Sequence, residues 1–191
     1  MVVGILLQVA CYLRVTELLK LTVGQIVAPT SQGVPHWSLS LFPVERGDMS
    51  ITGQVDEGVT LDCPEIQFLV PILKELRAMP PDTLRVGMTY LEFLAAFRSA
   101  SNELRIALVP SQARHSGASM DQAYNRRSQN EVQRMGRWLA TKSVRRYEKR
   151  NRLNISWNSL EISQQEHFLE CQQSAASVFL GTSDGGTLAV K

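Results

Sequence analysis

The sequence predicts an α+β domain that is mainly α-helical and carries one small three-stranded antiparallel sheet. Apolar residues recur at helical spacing through most of the chain. Between residues 25 and 61 apolar and polar residues alternate instead, and glycines interrupt the pattern, which indicates short strands and turns. A length of 191 residues and an apolar fraction of 44% fit one globular core. We therefore assign residues 1–152 to one domain and residues 153–191 to a tail, with a helix at 160–179 and a disordered end.

The amino-terminal region predicts two helices and then the sheet. Residues 2–12 form a short apolar helix, and residues 14–21 open a second one with Thr16 as its N-cap. A helix that is already apolar at its second residue favours a missing upstream domain. The three strands are expected at residues 25–27, 37–41 and 59–61.

Five further helical segments are expected to follow the sheet. Pro64 starts a helix that Pro71 is expected to kink, and the next helix runs over residues 89–104. A third helix starts at Pro110 with Arg114 in its first turn, and Ser128 caps a fourth through a capping box with Glu131. A fifth begins at residue 141 or 143. The core positions of the second of these helices are Tyr90, Leu91, Phe93, Leu94 and Phe97.

Positive charge is concentrated in one part of the chain. Residues 105–152 hold twelve Lys and Arg against three Asp and Glu, whereas the remainder holds eight against fifteen. Such a block is typical either of a surface that follows DNA phosphates or of a solvated helical face. The residues of this block that we expect to contact DNA are Arg126, Arg127, Arg134, Arg137, Lys142, Arg145, Arg146 and Lys149.

Cysteines, histidines and apolar runs argue against several other classes. Cys11, Cys63 and Cys171 are scattered, which is typical of free thiols in an intracellular protein. The three histidines do not have metal-ligand spacing, so we expect no metal and no cofactor. The amino-terminal apolar run meets Arg14 too early to cross a membrane.

One spacing pattern points to a specific chemistry. Arg114 lies in Ala-Arg-His-Ser-Gly, Trp138 closes Gly-Arg-Trp, and Tyr147 follows Trp138 by nine residues. This pattern resembles the catalytic box of the tyrosine recombinases, the phage integrase family, including integrase-like proteins of eukaryotic mobile elements. The resemblance implies that Tyr147 is the nucleophile, Arg114 a phosphate-binding arginine, Trp138 a hydrogen-bond donor and His115 a supporting residue.

A second element of the same family lies near the start of the chain. The run Cys-Tyr-Leu-Arg-Val-Thr-Glu-Leu-Leu-Lys-Leu resembles the family's first arginine element. On that match Arg14 is the first catalytic arginine and Glu17 its supporting acid. The alternative is an ordinary surface ion pair at i, i+3 spacing. The resemblance covers residues 2–151 and implies the recombinase catalytic fold for that range.

The residue types suit the chemistry that the resemblance implies. A tyrosine hydroxyl that attacks a DNA phosphodiester divides one difficult exchange into two easier steps. Charge develops on the non-bridging phosphate oxygens, and two arginine forks stabilise that charge better than lysines would. Because arginines supply this charge, the reaction requires no metal.

Two positions depart from the family pattern. Ile51 stands where the resemblance places a proton-donating lysine, and Ser111 stands where it places a histidine. Three hypotheses follow. The first is an enzyme that cleaves and rejoins double-stranded DNA through a 3′-phosphotyrosyl intermediate, as a tetramer on paired sites and in the nucleus if the source is eukaryotic. The second is a degenerate recombinase that still binds DNA. The third is an unrelated basic helical interaction module.

Overall fold

The computed structural model describes residues 2–43, 47, 53, 57–145 and 150–181. It is mainly helical with one three-stranded antiparallel sheet, which confirms the predicted α+β class. The strands are β1 Ile26–Val27, β2 Ser38–Leu41 and β3 Glu57–Thr60, and 3-10 helices cover Val23–Gln25 and Pro64–Leu69. The α-helices are α1 Val2–Ala10, α2 Val15–Lys20, α3 Val70–Arg77, α4 Tyr90–Glu103, α5 Pro110–Ala123, α6 Gln129–Met135, α7 Thr141–Val144, α8 Arg150–Asn158 and α9 Ile162–Leu180.

The sheet has the strand order β1-β2-β3 and buries one face. Ile26 lies opposite Leu39, and Leu39 lies opposite Val59 on the third strand. All three side chains are buried, whereas their strand neighbours are more accessible. The alternation in the sequence therefore predicted both the strands and the face that packs on the core.

Two apolar clusters hold the helices together. The larger joins α1 and α2 to the sheet, α3 and α4, and Leu7, Leu18 and Phe93 are fully buried in it. The smaller consists of Tyr12, Ala118, Val132 and Val144, and it joins the end of α1 to α5, α6 and α7. This smaller cluster lies under the candidate functional site.

Helix α5 approaches α1 unusually closely at Gly117. A Cβ built on Gly117 would lie 1.9 Å from the carbonyl oxygen of Val9, a backbone atom that no rotamer change can move. Only glycine fits there, because the two helices pack backbone against backbone. This close packing places the pocket-lining side chains of α5 beside the end of α1.

Several local expectations are wrong at the helix ends. The N-cap of α2 is Arg14 and not Thr16, because the Arg14 backbone N–H donates to Glu17 over 2.7 Å. Pro71 lies in the first turn of α3 and does not kink a longer helix, since the preceding turns are 3-10. Arg114 is the fifth residue of α5, beyond its first turn. The Ser128–Glu131 capping box is confirmed, with the Ser128 N–H donating to Glu131 over 2.7 Å.

Other differences concern α4 and the carboxyl-terminal region. Tyr90 and Leu91 were expected in the core but are 51% and 75% exposed, while Phe93 and Phe97 are buried. Helix α8 precedes the predicted helix at 160–179, which runs over Ile162–Leu180 as α9. The predicted disordered end lies beyond residue 181 and so outside the described residues.

The cysteines are free thiols, and burial raises the pKa of Cys11 to about 12. In the described ranges we find neither a cluster of three or more metal-ligating side chains nor a helix long and apolar enough to cross a membrane.

Candidate functional site

A pocket of about 360 Å³ forms where three distant parts of the chain meet. Its walls come from the α1–α2 junction, from α5 and from the turn after α6. Five residues that the sequence singles out therefore lie at one place, although more than a hundred positions separate the first from the last. The lining residues are Gln8, Leu13, Arg14, Val15, Ser111, Arg114, His115 and Trp138.

Arg14 enters the pocket from the start of α2. Its Nη1 donates to Oε1 of Glu17 over 2.5 Å, and its Nη2 donates to the carbonyl oxygen of Arg137 over 3.3 Å. The Glu17 side chain is only 3% exposed, whereas that of Arg14 is 21% exposed. A buried carboxylate thus holds the arginine, while part of its guanidinium reaches the pocket.

Arg114 enters from α5 and is almost completely buried. Its residue exposure is 5%, and its Nη2 donates to the carbonyl oxygen of Gly136. The guanidinium carbon lies 4.8 Å from the centre of the Trp138 ring, within range of a cation–π interaction. The side chain is therefore fixed on two sides before any ligand binds.

The turn after α6 places Trp138 against Arg114. Arg137 takes a left-handed conformation with φ of 53°. The backbone N–H of Trp138 then donates to the carbonyl oxygen of Gln133 over 3.1 Å. The Trp138 ring then folds over Gly136, so that a Cβ on Gly136 would lie 1.9 Å from a ring carbon. The Gly-Arg-Trp sequence is thus a helix-ending turn whose glycine makes room for the tryptophan.

Tyr12 packs its ring against Trp138. The sequence does not identify Tyr12 as a site residue. The two ring centres are 6.1 Å apart with an interplanar angle of 30°. The Tyr12 hydroxyl donates to Asp121, and Asp121 accepts from Nε of Arg127 over 2.9 Å. Burial and the contact with Asp121 raise the pKa of Tyr12, which keeps the hydroxyl protonated as a donor. In the sequence, its position two residues before Arg14 is the one available signal.

Arg137 is not on the surface, contrary to its expected role as a DNA contact. Its side chain is 3% exposed, and its Nη2 lies 2.5 Å from Oε2 of Glu17. The same guanidinium donates to the carbonyl oxygens of Tyr12 over 3.1 Å and Met135 over 2.9 Å. Burial alone would raise the pKa of Glu17, but the Arg137 charge and the bonds from Arg14 and Arg137 hold it below its ordinary value. Glu17 is therefore a carboxylate shared by two arginines.

The other expected DNA contacts fall into three groups. Arg126 pairs with Glu65 through an Nη1–Oε2 distance of 2.9 Å, and Arg127 pairs with Asp62 and Asp121, so neither offers an uncompensated charge. The exposed group is Arg134, Lys142 and Arg145. The positions outside the described residues are Arg146 and Lys149 of this set, together with the predicted nucleophile Tyr147 and the departure Ile51.

The two remaining pocket residues with ionisable or hydroxyl side chains are on α5. Ser111 is exposed at the rim of the pocket, and His115 is half-buried in its wall. Burial and the nearby Arg114 charge lower the pKa of His115, so this imidazole is neutral at pH 7. A neutral histidine can donate or accept one hydrogen bond at the pocket without adding charge.

Comparisons with known family models, curated proteins and solved structures find no match to this chain.

Proposed function

We propose that this protein cleaves and rejoins DNA strands by the tyrosine-recombinase reaction, with Tyr147 as the nucleophile. The observation that carries the proposal is the convergence of Arg14, Arg114 and Trp138 on one pocket of about 360 Å³. The resemblance to the tyrosine recombinases selects these residues in the sequence, and they come from three separate elements. A chance match of spacing would not require them to line the same cavity.

The proposed reaction exchanges one phosphodiester bond for another. The Tyr147 oxygen forms a bond to phosphorus as the bond from phosphorus to the 5′ oxygen breaks. The tyrosine loses its proton and the 5′ oxygen gains one, which leaves a 3′-phosphotyrosyl bond. Rejoining is the same exchange in reverse, with a 5′ hydroxyl as the attacking group. Since no net hydrolysis occurs, the energy of the phosphodiester is conserved in the intermediate.

The pocket suits a pentavalent phosphate in which negative charge increases. Arg14 and Arg114 would each direct N–H groups at the non-bridging oxygens, and the Trp138 indole would add a neutral donor. Both guanidiniums are held by protein acceptors. Donors that are already oriented stabilise the transition state without a further ordering cost.

Covalent trapping tests the proposal. Nicked duplexes from a randomised pool would be incubated with the protein, denatured and resolved for a protein–DNA band. We expect a band with the wild type and none with Tyr147→Phe, because phenylalanine has no attacking oxygen. DNA affinity of the variant should stay within about threefold, since affinity rests on the basic surface. A band of equal yield in Tyr147→Phe would show that another residue is the nucleophile.

A second candidate is a degenerate recombinase that binds DNA without cleaving it. The observation that favours it is Ser111 at the pocket rim, where the family resemblance places a histidine. A serine hydroxyl does not ionise near pH 7, so it is a poor general acid or base, and a positioned proton-transfer group contributes about 10²–10⁴ in rate. This candidate predicts DNA binding without a covalent band.

Ser111→His is expected to separate the two candidates. The imidazole would restore a group that titrates near neutral pH, so the rate of adduct formation should rise at least about tenfold. Ser116→His is the matched control, because Ser116 is exposed on the same helix but does not line the pocket. A rise in Ser111→His alone supports an impaired enzyme. An equal rise in both variants would contradict a role for position 111.

A further inference from the structure

The turn after α6 is the point to which both candidate phosphate-binding arginines attach. Arg114 donates to the carbonyl oxygen of Gly136, and Arg14 donates to the carbonyl oxygen of Arg137 over 3.3 Å. These are consecutive carbonyls of one left-handed turn. The direction in which each carbonyl points depends on the conformation of that turn, so the turn sets the positions of both guanidiniums at once.

We propose that Arg137 is a positioning residue, whose buried guanidinium locks this turn and thereby holds Arg14 and Arg114 in register with Trp138. The inference deepens the proposed function and rests on it for its catalytic consequence. Its structural part, that Arg137 fixes the two other arginines, can be tested whether or not the protein cleaves DNA.

Arg137 combines a left-handed backbone conformation with a buried side chain. A φ of 53° lies in the left-handed region, which favours glycine at the residue following a helix. Arginine in that conformation carries a steric cost that glycine would avoid. At Arg137 the contacts of the buried guanidinium are available to offset this cost.

The contacts of the guanidinium join the turn to both walls of the pocket. It reaches Glu17 on α2 over 2.5 Å and the Tyr12 carbonyl oxygen at the end of α1 over 3.1 Å. Glu17 also accepts from Arg14, so one carboxylate holds Arg14 and Arg137 together. Arg137 also donates to the carbonyl oxygen of Tyr12, and the Tyr12 ring packs on Trp138. A lysine could keep the charge but lacks the planar fork with which Arg137 reaches Glu17 and the carbonyl oxygens of Tyr12 and Met135 at once.

Arg105 provides a matched control within the same chain. It also has a left-handed backbone after a helix, with φ of 54°, and the Ile106 N–H donates back to Ser101 over 3.0 Å. The corresponding bond after α6 runs from Trp138 to Gln133 over 3.1 Å. Unlike Arg137, Arg105 is exposed and lies outside the candidate site. Arg105 and Arg137 have the same left-handed backbone conformation, but the Arg105 side chain is exposed and the Arg137 side chain is buried.

The first arm of the test measures arginine side chains directly in the whole protein. Nitrogen–proton NMR spectra of the Nε–Hε groups would be recorded for wild type, Arg137→Lys and Arg105→Lys, with Arg14 and Arg114 assigned by their loss in lysine variants. We expect Arg137→Lys to shift or broaden both signals while circular dichroism shows a folded protein. Arg105→Lys should leave both unchanged. Unchanged Arg14 and Arg114 signals in Arg137→Lys would overturn the proposal.

A second measurement covers the possibility that Arg137→Lys fails to fold. Arg105→Gly is expected to keep or raise the melting temperature, because glycine relieves the left-handed backbone. Arg137→Gly gains the same relief but loses the buried contacts, so its melting temperature should fall by at least about 5 °C. An equal or raised melting temperature in Arg137→Gly would overturn the proposal.

The functional arm separates positioning from simple DNA contact. In Arg137→Lys we expect the rate of adduct formation to fall about 10²-fold, as small displacements of catalytic groups do. DNA affinity should change less than about threefold, since the residue is buried. A loss of affinity that explains the whole loss of rate would overturn positioning in favour of DNA contact. If the wild type forms no adduct, the proposed function fails, and the NMR arm alone decides the role of Arg137.

Discussion

Glu17→Gln is expected to destabilise the protein by about 3 kcal/mol, the usual size of the effect when one partner of a buried ion pair is removed. The glutamine has the same shape, so the loss is one of charge. Glu17 balances Arg137, which is equally buried, and also Arg14. Without the Glu17 carboxylate, Arg137 remains in the interior with two backbone acceptors and a longer ion pair to Glu57, whose Oε2 lies 3.5 Å from its Nε. Chemical denaturation of both proteins at pH 7 would measure the difference.

Glu131→Gln is the matched control for this substitution. Glu131 occupies the same third position of a helix and accepts from the backbone N–H of its N-cap residue, as Glu17 does. It is exposed and does not hold a buried arginine, so its replacement should cost no more than about 0.5 kcal/mol. Equal losses in the two variants would show that capping alone, and not the buried arginine pair, accounts for the role of Glu17.

The same pair predicts how the stability difference depends on pH. The pKa of Glu17 in the folded protein lies below its ordinary value of 4.5. Its contribution is therefore fully present above about pH 4.5 and is lost as the pH falls through the folded value. Wild type and Glu17→Gln should accordingly converge in stability on acidification. A gap that stays constant to low pH would contradict an ionised Glu17.

Gly117→Ala is the second substitution with a large expected effect, again about 3 kcal/mol of lost stability. The new methyl group would lie 1.9 Å from the Val9 carbonyl oxygen, so α1 and α5 must separate. Because α5 carries Arg114 and the end of α1 carries Tyr12, the separation should also open the pocket. Thermal unfolding would measure the stability, and the trapping assay would measure the loss of adduct.

Gly58→Ala is the control for the glycine substitution. A Cβ on Gly58 in β3 meets nothing within 4 Å. We expect a change within about 0.5 kcal/mol, as for other surface substitutions. If Gly117→Ala were as mild as Gly58→Ala, the close approach of α1 and α5 would not be essential to the fold.

Sequence pattern predicted the helices and strands better than the helix caps and the buried ion pairs. Alternation at residues 37–41 located β2, because one face of the sheet is buried. The family resemblance selected Arg14, Arg114 and Trp138, and the fold places them around one pocket. Periodicity failed for Tyr90 and Leu91, since an apolar residue can occupy the exposed side of a helix end without a large cost.

The roles of the supporting residues could not be read from sequence, because they depend on contacts between distant segments. Arg137 resembles the neighbouring surface arginines in a charge count, yet its partner Glu17 lies 120 positions away. Arg127 is similar, since its partner Asp62 lies 65 positions away. Tyr12 matters through a ring contact with Trp138 that no local pattern encodes. Charge composition predicts a basic region but not which of its arginines are already paired.

The most direct test of the account is to map the residue that becomes attached to DNA. Protein trapped on nicked duplexes would be digested with protease and nuclease, and the peptide carrying the residual nucleotide would be identified by mass spectrometry. We expect one modified peptide, with the nucleotide on the Tyr147 oxygen. We expect this peptide to be absent in Arg114→Ala, which lacks the proposed phosphate clamp. A nucleotide attached to any other residue, or an adduct undiminished by Arg114→Ala, would contradict the account.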